Sequence, residues 1–150
     1  MTSKALDEAT DALARLDLEA MLAAGRSIVR YVDDFISYSA PFTLAKRVGE
    51  LEHAEKALAT ILYSCAEALR IASLILSPAM PEKMAQLWRD WNCNHLTDPN
   101  DHASGFVAPL SELARWTGEH SLRVGQTISK GEVMFMRADA KEPAPGTEPA

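Results

Sequence analysis

Ten apolar residues, Leu51, Ala54, Leu58, Ile61, Leu62, Cys65, Leu69, Ala72, Ile75 and Leu76, recur mostly three or four places apart. An α-helix repeats every 3.6 residues, so this spacing lays them along a single stripe. The pattern stops at Ser77-Pro78, where proline withdraws a backbone donor and clashes with the preceding turn. A helix of some seven turns with one continuous apolar face is insoluble on its own, and other elements must cover it. The stripe therefore predicts the central, buried helix of an all-α bundle, with Leu62 and Leu69 in the core.

Its neighbours are legible in the same way. Leu6, Ala9, Leu13 and Leu16, then Ala20, Met21, Ala24, Ile28, Val32, Phe35 and Ile36, keep helical spacing, with a break at Leu16-Asp17 where Asp17 suits an N-cap. The second of these helices is expected to run to about Ser37. Ala40 precedes Pro41 and is thereby pushed out of the right-handed α region, while Gly25 weakens the helix without ending it. Pro81 fits a first helical position, and Met84, Leu87, Trp88 and Trp91 follow on one face, so the tryptophans close the core. A short helical turn is expected between Pro109 and Trp116, with an irregular strip from there to Arg137. The expectation is a bundle of four or five helices over residues 1–139. Residues 140–150, rich in Pro, Ala and Glu and without a large apolar side chain, form a disordered tail or linker.

At 150 residues, 47% of them hydrophobic, the chain suits one core rather than two. Only 7 glycines argue against parallel-sheet enzymes. A net charge of -6 provides no general attraction to phosphates, so any nucleic-acid contact has to be local. The N-terminal residues lack the apolar core of a signal peptide, and no uninterrupted run of about 18 apolar residues occurs. The chain is expected to be cytoplasmic, with Cys65 and Cys93 reduced.

Glycine-rich phosphate loops, Cys-x-x-Cys pairs and His-Glu-x-x-His are all absent from the sequence. Cys93, His95, Asp98, Asp101 and His102 crowd one segment, but their spacing fits no closed tetrahedral zinc site, and a polar surface loop accounts for them better. Glu50, Glu52, Glu55 and Lys56 read as the solvated side of a helix, and His53 and His120 as lone histidines of surface or second-layer packing.

The informative stretch is Tyr31-Val32-Asp33-Asp34-Phe35-Ile36-Ser37-Tyr38-Ser39-Ala40-Pro41-Phe42-Thr43-Leu44-Ala45-Lys46. It resembles the segment of methionyl-tRNA synthetases in which Asn-x-Tyr-Ile is followed by Ala-Pro-Trp-x-Leu-Ala-Lys. Further similarities come in the family's order. Glu67-Ala68-Leu69-Arg70 resembles its Glu-x-Leu-Arg helix, and Leu76-Ser77-Pro78-Ala79-Met80-Pro81 its Leu-x-Pro-x-Met-Pro turn. Gly125-Gln126-Thr127-Ile128 and Met134-Phe135-Met136-Arg137-Ala138-Asp139 are similar to its closing Gly-x-x-Ile and Leu-Phe-Pro-Arg-Ile-Asp. The resemblance spans residues 17–139.

It implies the C-terminal anticodon-binding helical domain of a class I synthetase, whose partners are the anticodon stem-loop of tRNA(Met) and the synthetase's catalytic domain, not DNA or a membrane. The ring at position 42 faces the anticodon in that family, which makes Phe42 the leading RNA-binding candidate. Pro41 shapes the turn, and Lys46, Arg47 and Arg30 are the nearby cations. Phe42 replaces the family's tryptophan, a larger ring with an indole N–H. Asp33 replaces its asparagine and would repel a phosphate, and the family's other anticodon contacts lie upstream of the matched region. His-x-Gly-His and Lys-Met-Ser-Lys-Ser do not occur in these 150 residues, so no catalytic residue is assigned, and ATP and methionine would bind a catalytic domain outside this sequence. A free-standing helical protein–protein interaction module is the alternative, in keeping with the acidic pI near 5.2.

Overall fold

The computed structural model describes residues 2–93 and 108–135. Their helices are α1 (Thr2–Ala14), α2 (Leu18–Ser39), α3 (Pro41–Ala45), α4 (Ala54–Leu76), α5 (Pro81–Asp90) and α6 (Leu110–Leu113), with no strand among the described residues. The fold is all-α, as the periodicity requires. The count is six rather than four or five because the turn after Ala40 and the one after Pro109 each close a short helix of their own.

The break between α1 and α2 falls at Asp17, whose carboxylate accepts a hydrogen bond from the Ala20 N–H at 3.0 Å and satisfies one free donor of the first turn. α2 packs on both α1 and α4. Gly25 sits at the α2–α4 contact, where a Cβ would lie 2.9 Å from Leu76 Cδ2 and 3.1 Å from Ile75 Cγ2. The glycine thus makes room for the Leu76 and Ile75 side chains against α2, which offsets its poor helix propensity.

α2 runs two residues beyond the expected Ser37. Proline bars its predecessor from the right-handed α region, and Ala40 takes the left-handed conformation, φ 45° and ψ 53°, instead of an extended one. In that conformation its N–H reaches Ile36 O at 3.0 Å while its carbonyl accepts the Thr43 and Leu44 N–H groups at 3.0 and 3.1 Å. One strained residue therefore ends α2 and starts α3.

α4 begins at Ala54 instead of 51, and its burial departs from the expected stripe. Leu62 is 52% exposed, whereas Ala68, Ile71, Ala72 and Ile75 are core residues and Leu69 is only partly buried. From Glu67 to Leu76 nearly the whole circumference is enclosed, including Glu67, Arg70 and Ser73. By length and composition α4 matches a helix able to cross a membrane, but half of its most apolar window is buried in the bundle. α5 closes the core with Met84 and Trp88, and the Trp88 indole N–H donates to Ser73 Oγ at 2.8 Å. Trp91, expected to do the same, is half-buried. Residues 136–150, including the expected tail, lie outside the described residues.

Candidate functional site

The corner between α2 and α3 presents Phe42. Pro41 is buried and pins the start of α3, which leaves the next side chain, at the second helical position, directed outward; Phe42 is 78% exposed. Lys46 and Arg47 follow directly after α3 and are both exposed. Arg30 is exposed too, but it lies ten residues before Ala40 on α2, about 15 Å of helix rise away. The local cations at the corner are thus Lys46 and Arg47. Pro41 shapes the corner without offering surface.

A residue outside the sequence-based set stands at the same place. Tyr38, in the last turn of α2, is 90% exposed. Its signal in the sequence was the break in apolar spacing: Val32, Phe35 and Ile36 continue the inward stripe, and Tyr38 falls about 120° away from Val32 on a helical wheel. Asp33 and Asp34 are exposed on the preceding turn, so the corner is acidic on its α2 side and basic beyond α3.

The opposite, buried half of α4 holds the only charged side chains enclosed by the core among the described residues. Glu67 and Arg70, one turn apart, are fully buried and joined by Arg70 Nη2 to Glu67 Oε1 at 2.6 Å and Nε to both carboxylate oxygens at 3.0 Å. Both are also bonded to the backbone. Arg70 Nη1 donates to Leu113 O at 2.7 Å and Nη2 to Arg115 O at 3.0 Å, while Glu67 Oε2 accepts the Leu122 N–H at 3.0 Å. Tyr63 adds a hydrogen bond to Leu122 O at 3.0 Å. This pair is a structural clamp that ties residues 113–122, which lack regular structure beyond α6, to the central helix. Farther along, Asn92 Nδ2 donates to Thr127 O at 2.7 Å, Ser129 N–H to Asp90 O at 2.8 Å, and Gln126 Nε2 to Trp91 O.

Cys93 is 1% exposed, and burial, opposed by Arg70 and reinforced by Glu67, pushes its thiol up to about 11. It stays a protonated thiol at neutral pH, a poor nucleophile and a poor metal ligand. His95, Asp98, Asp101 and His102 lie outside the described residues. A cleft of about 340 Å³ beside α2 and α4 is lined by Thr2, Tyr31, Val32, Phe35, Ser64, Cys65, Ala68 and Trp116, none of them charged.

The chain is 30% identical over 131 residues to the methionine–tRNA ligase of Streptomyces coelicolor, a match covering 86% of this chain and 22% of that protein. The chain is homologous to a segment of the methionine–tRNA ligases. The enzyme of Deinococcus radiodurans is 35% identical over 81 residues, covering 54% of this chain and 11% of that ligase. That of Clostridium acetobutylicum is 28% identical over 112 residues, covering 75% and 14%. The chain thus spans about a fifth or less of the length of the ligases it matches. No family model and no solved structure matches it.

Proposed function

We propose that this chain acts as the tRNA anticodon-binding part of a methionyl-tRNA synthetase, supporting attachment of methionine to tRNA(Met) by a catalytic domain that is not within these 150 residues. The observation that carries the reading is Phe42, an aromatic ring left 78% exposed at a rigid corner within the segment that resembles the family's anticodon-facing turn. A ring so placed forfeits its own burial and is available for a base, and one base stacked on an aromatic side chain is worth about 1–3 kcal/mol. Lys46 and Arg47 supply local positive charge to a chain that is acidic overall. ATP and methionine belong, on this reading, to the catalytic domain, and the assembled protein works in the cytoplasm.

The test is binding of the chain to a CAU anticodon stem-loop. Phe42→Trp should tighten it through the larger ring, and Phe42→Ala should weaken it by about 1–3 kcal/mol, with folding stability changed by less than about 0.5 kcal/mol in either variant. Unchanged affinity in both would remove the anticodon role from Phe42. A helical module for protein–protein contact is the second reading, favoured by the exposed Val124, Val133 and Phe135 in the C-terminal strip. In the synthetase reading that apolar edge meets the catalytic domain, so the module reading gains if stem-loop binding is absent.

A further inference from the structure

We infer that Tyr38 is a second base-stacking platform, working with Phe42 across the α2–α3 corner to hold two unpaired bases of a single-stranded RNA loop. This rests on the RNA-binding reading of Phe42 and extends it to a residue that neither composition nor family resemblance singled out. A tyrosine ring normally contributes a large buried area, and Tyr38 contributes almost none, being 90% exposed. Tyr31, two turns earlier on the same side of α2, is instead engaged by Phe35, with ring centroids 6.3 Å apart and planes within 10°.

Tyr38 and Phe42 are four residues apart, which bounds their Cα separation to about 14 Å even for a stretched chain. The segment between them is not stretched. Ala40 is held left-handed by hydrogen bonds to Ile36 on one side and Thr43 and Leu44 on the other. Such backbone strain persists only where the surroundings fix it, so both rings stand on a corner of set geometry and not on a loop that must be ordered on binding. The residues around the rings also favour bases over a protein surface. Ser37, Ser39 and Thr43 are small and hydroxylated, and the Ser39 hydroxyl is turned back onto Phe35 O at 2.6 Å. Two rings rising separately from small polar residues make stacking faces; a protein partner would be met by a continuous apolar patch. Charge points the same way. Asp34 lies one turn before Tyr38, and only Lys46 and Arg47 stand beyond Phe42, so affinity comes mainly from the bases and little from the phosphates.

Binding of the full chain to a CAU anticodon stem-loop, measured for Tyr38→Ala, Tyr38→Phe, Phe42→Ala and the double alanine variant, tests this. Tyr38→Ala should weaken binding about five- to hundredfold, Tyr38→Phe should keep it, and the double variant should be weaker than either single one. With two cations the logarithmic salt slope should be shallow, about -1.4. Circular dichroism should be the same for all variants, because both rings are exposed. Loss with Phe42→Ala but none with Tyr38→Ala would overturn this inference and leave the anticodon reading intact. No loss with either, or no binding by the wild-type chain, would overturn both.

Discussion

The two halves of α4 carry leucine, isoleucine and alanine at the same spacing, yet they live in different surroundings. Before Cys65, Leu58 and Ile61 are half-buried and Leu62 is 52% exposed; after it, Ile71, Ala72 and Ile75 are each 1% exposed. α2 runs along the helix, from Gly25 against Ile75 and Leu76 to Phe35 beside Ser64, and the second half is further enclosed by the strip that Glu67 and Arg70 hold in place. The difference teaches that an apolar stripe states what a helix can bury, and its neighbours decide how much of it is buried. It also separates labour within the molecule. The enclosed half supplies stability, while the open half lies beside the corner that carries Phe42 and can change without loss of the core.

The largest effect should come from the clamp. Arg70→Met leaves the Glu67 carboxylate buried without its partner and should cost about 3–5 kcal/mol in chemical denaturation, with amide protection lost first over residues 113–122. Replacing both members by uncharged residues should recover much of that loss. If Arg70→Met and the double variant were equally unstable, the clamp would matter by shape alone.

Next, Ile71→Ala should cost about 2–5 kcal/mol, as for other fully buried aliphatic side chains. Gly25→Ala sets a gain in helix propensity of about 1 kcal/mol against the clash of a new methyl with Leu76 and Ile75, and a net loss of about 1 kcal/mol is expected because overpacking commonly costs 1–3 kcal/mol. A stabilised Gly25→Ala variant would show that Leu76 moves aside freely and that the α2–α4 contact is looser than its distances imply. The smallest effect belongs to the open half: Leu62→Ala should cost less than about 1 kcal/mol. A cost equal to that of Ile71→Ala would erase the distinction between the halves.

The Cys93 thiol gives a comparison of another kind. Its folded value is raised from the ordinary 9.0 to about 11, so its contribution to stability is complete below pH 9 and is lost as the pH climbs through 11. Thiol reagents should therefore label the native chain slowly at pH 8 and rapidly once it is denatured.

Much of this fold was legible because helices are written locally. The Asp17 cap, the stop at Pro41, Pro81 as a first helical residue and the short turn after Pro109 each depend on residues within one turn of one another. Resemblance points to Phe42, whereas nothing in the sequence marks its neighbour Tyr38, because a single aromatic off the stripe looks the same in sequence whether it is covered or bare. Glu67 and Arg70 belong to a family-like motif in the sequence, but charged residues are usually solvated, and their partners at Leu113, Arg115 and Leu122 lie 43 to 55 positions away.

By itself the sequence determined that this chain is helical, where its longest helices break, and that a ring follows the Ala40-Pro41 corner. Spacing, capping and proline stereochemistry act over a few residues and need no partner. Only the tertiary structure decided which face of α4 is enclosed, that Gly25 marks a close crossing, and that a buried ion pair fastens the C-terminal strip. Those outcomes depend on which surfaces meet across long stretches of chain, and the cost of burying a charge or adding a methyl is set by the atoms on the other side of the contact.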